Sequence, residues 1–282
     1  MQSDPPNRAN DQSELRSFGR RRGRRPSDRQ AALMRDVLPR VAVDLSSPPP
    51  LWGRRGNLPP PRAEGAPSVR RGEGLGVGGI PIANSSDSPP PGLPHVDAEH
   101  RSAMKGGGEA FLEIGFGGGE HLVWQARNNP DATLIGCEPF EDGVMKVLTR
   151  IADDDLKNIR LHMGDARDVL RWLPPASISR AFILFPDPWP KRKHRKRRLV
   201  NPHTLALLAR VMKPGAELRI GTDIGDYART ILQAFSAQTE FTWIATGPED
   251  WRIRPADWPE TRYEQKAERE GRRRYYLRFS RL

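Results

Sequence analysis

Apolar residues recur with two different periods along the second half of the chain. Short apolar runs bounded by turn residues fall at 110–114, 133–138, 159–164, 179–185, 216–222, 241–245 and 273–279. Runs of this length and composition predict strands. Between them, apolar positions three and four apart predict helices near 119–128, 140–152, 166–173, 202–212 and 225–237. Strand and helix therefore alternate. That alternation predicts an α/β fold, a mostly parallel sheet with helices on both faces.

The first hundred residues read differently. Residues 1–15 are polar and aperiodic, as expected of a disordered tail. An arginine cluster, R-S-F-G-R-R-R-G-R-R-P, occupies 16–26. Ser27 then has the place of a helix N-cap, with Gln30 positioned to close a capping box. Leu33, Met34, Val37 and Leu38 follow at helical spacing, so 16–45 reads as a basic arm and a short helix packed on the main domain. Residues 46–100 hold 12 Pro and 9 Gly in 55 positions, including three Pro-Pro-Pro runs. Such a stretch cannot build a core and is expected to be a disordered insertion. Residues 101–282 make the α/β domain.

The balance of charge narrows the partners. Lys and Arg number 46 against 35 Asp and Glu, a formal net charge of +11. An anionic partner follows, with nucleic acid and an anionic membrane surface both open. No apolar run approaches the ~20 residues of a membrane span, and the polar, Arg-rich N-terminus has no apolar signal core. The single cysteine, Cys137, excludes an internal disulfide and any multi-Cys zinc site. It lies in an apolar run and reads as a core residue; a reducing cytoplasm is the expected location. His194 and His203 lack a second ligand at metal spacing, so no metal is expected.

Two motifs carry chemistry. The first strand runs into Glu113-x-Gly115-x-Gly117-x-Gly119, with a helix opening at Gly119. Glycines there let a ligand approach the backbone and let the chain turn sharply into the helix. Glu138 ends the next strand 23 residues after Gly115, a place suited to accepting hydrogen bonds from ribose hydroxyls. Asp165 follows the third strand and could accept from an adenine amine. A nicotinamide enzyme would look broadly similar, but the dinucleotide fingerprint needs a third glycine where this chain has Glu120. A carboxylate there would repel a pyrophosphate. S-adenosylmethionine carries an amine and a sulfonium and no phosphate, and the acidic, glycine-rich surround suits it better.

The second motif is F-P-D-P-W-P-K-R-K-H-R-K-R-R-L at 185–199. Prolines on both sides stiffen the loop that carries Asp187 and Trp189. Seven Lys/Arg and one His then fill 191–198. A basic run alone reads as a solvated face; following a strand end, where α/β sheets bind ligands, it suits phosphates. Trp189 could equally stack on a base or anchor its loop.

L-E-I-G-F-G-G-G-E, the 185–199 motif, G-T-D at 221–223 and T-R-Y-E at 261–264 together resemble the bacterial tRNA (guanine-N7-)-methyltransferase family over about 110–282, and the arginine cluster is similar to the family's start. The resemblance implies a seven-stranded, Rossmann-like class I methyltransferase fold. It implies methyl transfer from S-adenosylmethionine to N7 of guanine 46 in the tRNA variable loop. Carried over by motif, Glu113, Gly115, Gly117, Gly119, Glu138, Asp165 and Asp187 would line the cofactor site, with Asp187 also catalytic. Lys191, Asp223, Thr261, Arg262, Tyr263 and Glu264 would bind substrate. The chain departs from the pattern in its 46–100 insertion and in Pro139-Phe140, where many relatives carry Val-His. Two other readings stay open here. One is a methyltransferase acting on an exocyclic base amine, although the Asp-Pro-Pro-aromatic loop of such enzymes lacks its second proline in Asp187-Pro188-Trp189. The other is a non-catalytic RNA-binding protein on the same fold, against which the intact acids argue. Monomer and homodimer are both open.

Overall fold

A computed structural model describes residues 25–49 and 108–282. The expected tail, most of the arginine cluster and nearly all of the Pro/Gly-rich stretch lie outside the described residues. Within them the chain forms α1 (Asp28–Asp36), α2 (Leu38–Val41), β1 (Ala110–Ile114), α3 (Glu120–Asn128), β2 (Thr133–Cys137), α4 (Glu141–Asp153), β3 (Ile159–His162), α5 (Ala166–Trp172) and β4 (Ile178–Leu184). A 3-10 helix follows at Arg192–Arg197. Then come α6 (Pro202–Val211), β5 (Met212–Thr222), α7 (Gly225–Ser236), β6 (Phe241–Trp243), α8 (Glu249–Arg252), α9 (Arg262–Arg269) and β7 (Tyr275–Arg281).

Seven strands form one sheet in the order β3-β2-β1-β4-β5-β7-β6. The first five run parallel; β7 alone runs the other way, pairing antiparallel with β5 on one side and β6 on the other. Central parallel strands must be apolar on both faces, and all five residues of β1 are buried. Side chains alternate across the sheet. Ala110, Leu112 and Ile114 therefore join one core cluster with Val169, Leu205 and Ile231, from α5, α6 and α7. Phe111 joins the opposite cluster with Leu122 and Val147, from α3 and α4.

Strand and helix limits lie close to those expected from periodicity, with two differences. β5 begins at Met212 rather than 216, because Met212 pairs with Ile178 before the register shifts at Arg180. The short helices α8 and α9 hold too few apolar residues to have been drawn from sequence.

Ser27 and Gln30 close the capping box of α1: the Gln30 N–H donates to Ser27 Oγ at 3.3 Å and the Ser27 N–H to Gln30 Oε1 at 3.1 Å. Leu33, Met34, Val37 and Leu38 pack on the cluster that holds Phe111. The chain then runs along the outer side of β3, where Ala42 bridges Leu161 in parallel and the Val43 N–H donates to the Leu161 carbonyl at 2.8 Å. Trp172 Nε1 donates to the Ser47 carbonyl at 2.7 Å. Among the described residues no helix is long and apolar enough to cross a membrane.

Candidate active site

The sheet order reverses between β1 and β4. Crossovers leave in opposite directions there and open a crevice at the carboxyl ends of the strands. A cavity of about 1100 Å³ occupies it. Gly115, Gly117, Glu138, Asp165 and Asp187 line one part, and Arg195 through Thr204 line another.

The glycine loop adopts left-handed backbone at all three alternate positions, with φ of 77° at Gly115, 54° at Gly117 and 79° at Gly119. A Cβ on Gly115 would project into open space, so the backbone is bared to the cavity there. Glu138 braces the loop from below: its Oε2 accepts from the Gly117 N–H at 2.8 Å and its Oε1 from the Phe140 N–H at 2.9 Å. Burial pushes the Glu138 carboxyl above its ordinary range, against the opposing pull of those two N–H groups; the nearby carboxylates of Asp187 and Glu113 add to the upward shift. From above, the start of α9 leans over the loop. Arg262 Nε lies 3.4 Å from Glu120 Oε1, and a Cβ on Gly117 would stand 3.2 Å from the Tyr263 ring.

The structure brings together some expected site residues and sends others elsewhere. Gly115, Gly117, Glu138, Asp165, Asp187, Arg262 and Tyr263 line the cavity. Glu113 does not. Strand parity places it on the face of Phe111, under α3, where it is 3 % exposed and its Oε2 lies 2.8 Å from His121 Nδ1. His121 Nε2 in turn meets Gln125 Nε2 at 3.2 Å. Gly119 serves as the N-cap of α3 rather than as cavity wall; a Cβ on it would meet Val147. Asp165 reaches the wall already engaged, accepting from the Arg167 N–H and from Arg167 Nε, both at 2.9 Å. Asp223 pairs with Arg272 at 3.0 Å, away from the cavity lining. Thr261 and Glu264 form the capping box of α9, and Glu264, 1 % exposed, also accepts from the Tyr276 hydroxyl at 2.6 Å. The two inner residues of T-R-Y-E thus face the cavity and the two outer ones build the helix that carries them. Lys191 lies exposed at the start of the 3-10 helix, outside the lining.

Asp187 sits on a strained loop. Phe185 and Trp189, which flank it, have φ of 51° and 42°. Left-handed backbone is costly for aromatic residues and persists only where surroundings enforce it. Here the Phe185 N–H donates to the Gly221 carbonyl at 2.8 Å, and Arg197 lies over the Trp189 ring at 5.0 Å, with His194 edge-on to it. These contacts favour the anchoring role for Trp189. Asp187 lines the cleft, and partial burial of the carboxyl on this otherwise exposed residue raises it above the ordinary aspartate value of 3.8.

Sequence reasoning passed over three residues that matter. His121 follows Glu120 at the start of α3, and a histidine in a first helical turn packed on a strand was the available signal. Gly143 packs α4 against the glycine loop. Arg198, counted within the basic run, is buried. Among the described residues no group of three or more His, Cys, Asp or Glu is placed to hold a metal ion.

Comparison with known proteins follows the same outline. Residues 108–277 match a family described as "Putative methyltransferase". The tRNA (guanine-N(7)-)-methyltransferase of Ruegeria pomeroyi (strain ATCC 700808 / DSM 15171 / DSS-3) is 54 % identical over 181 residues, 64 % of this chain and 76 % of the relative. That of Ruegeria sp. (strain TM1040) is 53 % identical over 175 residues, 62 % of this chain and 68 % of the relative. The protein of the same name from Rhodopseudomonas palustris (strain BisB18) is 39 % identical over 264 residues, 94 % of this chain and 87 % of the relative. That last match takes in most of the N-terminal third as well.

Proposed function

Because the chain belongs to the tRNA (guanine-N7-)-methyltransferase family, we propose that its cleft moves a methyl group from S-adenosylmethionine to N7 of a guanine in tRNA, at position 46 of the variable loop. The observation that carries this reading is the placement of Asp187: a carboxylate lining the cleft on a strained loop at the switch point, with a cationic 3-10 helix beginning five residues further on.

The residues fit the cofactor. The bared backbone at Gly115 permits close approach, two carboxylates, Glu138 and Asp187, line the cavity, and Glu120 occupies the helix start where a phosphate would otherwise sit. When bound, S-adenosylmethionine supplies an electrophilic methyl on a sulfonium. Glu138 would hold ribose hydroxyls, although its carboxylate already steadies the loop, and Tyr263 and Arg262 would close over the ligand from α9. Guanine N7 has an in-plane lone pair and no proton, so the chain need not supply a base. Its task is to align the attacking nitrogen and to stabilise the positive charge that grows on the purine. Asp187 would do both, orienting the N1–H and N2–H edge or facing the charged ring. Activity in the cytoplasm accords with Cys137 being a free, buried thiol.

Lys191 and Arg192 stand exposed where the chain enters the 3-10 helix and are assigned to tRNA phosphates. Neutralising both to Gln weakens tRNA binding and reduces the slope of log K against log salt by about one unit for each phosphate no longer neutralised. An unchanged slope in filter binding would place both side chains in solvent. The reaction itself is tested with labelled S-adenosylmethionine and unmodified bulk tRNA, followed by nucleoside mass spectrometry. N7-methylguanosine as sole product supports the reading; N6-methyladenine or no product overturns it.

A further inference from the structure

We propose that Arg198 is a positioning residue for Asp187 rather than a phosphate contact, and that Asp226 ties this role to RNA binding. The proposal rests on the methyltransferase reading above. By sequence Arg198 is one cation among seven, but its neighbours in the run are mostly exposed and it is 2 % exposed. Its Nε donates to the Pro188 carbonyl at 2.8 Å, one residue beyond Asp187. One terminal nitrogen donates to Thr230 Oγ1 at 2.6 Å and the other to Asp226 Oδ2 at 2.5 Å. The guanidinium also lies 4.7 Å above the Tyr227 ring. Three donors of one planar fork thus fasten the Asp187 loop to α7. An arginine can do this and a lysine cannot, since its single nitrogen cannot reach three partners on different elements.

Asp226 is shared. Its Oδ1 accepts from Arg195 at 2.9 Å while Oδ2 accepts from Arg198. Arg195 is exposed on the cavity wall, where a phosphate can compete for it. When RNA draws Arg195 away, the carboxylate belongs to Arg198 alone, and the fastening of the loop tightens as substrate arrives. The hydrogen bond from Arg198 is the main reason the Asp226 carboxyl lies below its ordinary range, so the carboxylate is ionised and available for this exchange.

The experiment compares variants of the full chain in single-turnover methyl transfer and in salt-dependent tRNA binding. Arg198→Lys keeps the charge and removes the fork. It lowers the rate at saturating tRNA by about ten-fold or more and leaves both tRNA affinity and the salt slope unchanged. Arg195→Gln gives the reference for removal of a phosphate-binding cation, with weaker binding and a slope shallower by about one unit. If the saturated rate of Arg198→Lys is intact, the proposal fails. Asp226→Asn leaves Arg198 in place and carries the test should Arg198→Lys not fold. It slows transfer while tRNA binding stays equal or tightens, because Arg195 is released. Weaker binding, or a full rate, would overturn the proposal. Wild-type protein assayed alongside separates this failure from a failure of the functional reading, in which no variant and no wild type would methylate tRNA.

Discussion

Asp187→Asn lowers the single-turnover rate of methyl transfer by about 10²–10³-fold while S-adenosylmethionine and tRNA still bind. The substitution preserves shape and removes charge, and loss of one preorganised electrostatic group commonly costs this much. Asparagine retains an oxygen acceptor but presents N–H₂ where the base edge offers donors, and it cannot face the cationic purine with a negative charge. The pH dependence sharpens the test. Burial raises the Asp187 carboxyl above 3.8, so wild-type activity falls on acidification as the carboxylate protonates in that raised range, and the Asn variant lacks this limb. The linked effect on stability has the opposite direction. A carboxyl whose folded pKa is raised favours the fold at low pH and loses that contribution as pH rises through the folded value. Thermal melts of the Asn variant beside wild type separate lower activity from unfolding. A near-full rate in Asp187→Asn would remove Asp187 from the chemistry.

Gly143→Ala destabilises the protein and weakens cofactor binding by about ten-fold or more, against the ordinary preference of a helix. In a helix interior alanine is favoured over glycine by about 1 kcal/mol. At this position in α4 the added Cβ would stand 2.2 Å from the Gly117 carbonyl oxygen and 3.1 Å from Glu138 Cγ. The first is backbone and cannot rotate away, so the glycine loop or the helix must move. Such overpacking typically costs about 1–3 kcal/mol, and the shift also breaks the bond from the Gly117 N–H to Glu138 that shapes the cavity. Thermal melts and calorimetry with S-adenosylmethionine check both effects. A raised melting temperature with cofactor affinity intact would mean that α4 and the loop are separable.

The sheet was legible because its signals are periodic. Apolar alternation and turn residues placed the strands of β1 to β4 to within a few residues, and the strand–helix alternation dictated parallel pairing. The site was legible in its backbone and less so in its carboxylates. Glycine spacing and the prolines around Asp187 are local instructions, and the loop they describe is present. Glu113 and Glu264 were harder, because a carboxylate's job depends on what folding brings to it. Glu113 is claimed by His121, one helix start away, and Glu264 by Tyr276, on a strand twelve residues on. Strand parity could have revealed the first: a residue sharing a face with Phe111 points under α3. Asp165 followed by Arg167 was a visible capping pair at a helix start. Arg198 could not have been separated from its basic neighbours, since its partners Thr230 and Asp226 come from a different helix.

The segment along β3 bears on how this sheet keeps to itself. A parallel sheet ends in a row of unpaired N–H and C=O groups, a template on which another extended chain can build. At one border β6 offers only three residues. At the other, Ala42 and Val43 already occupy Leu161. A shortened protein that begins just before β1 would keep every cavity residue described above and yet bare that border, so its characteristic failing would be aggregation rather than inactivity.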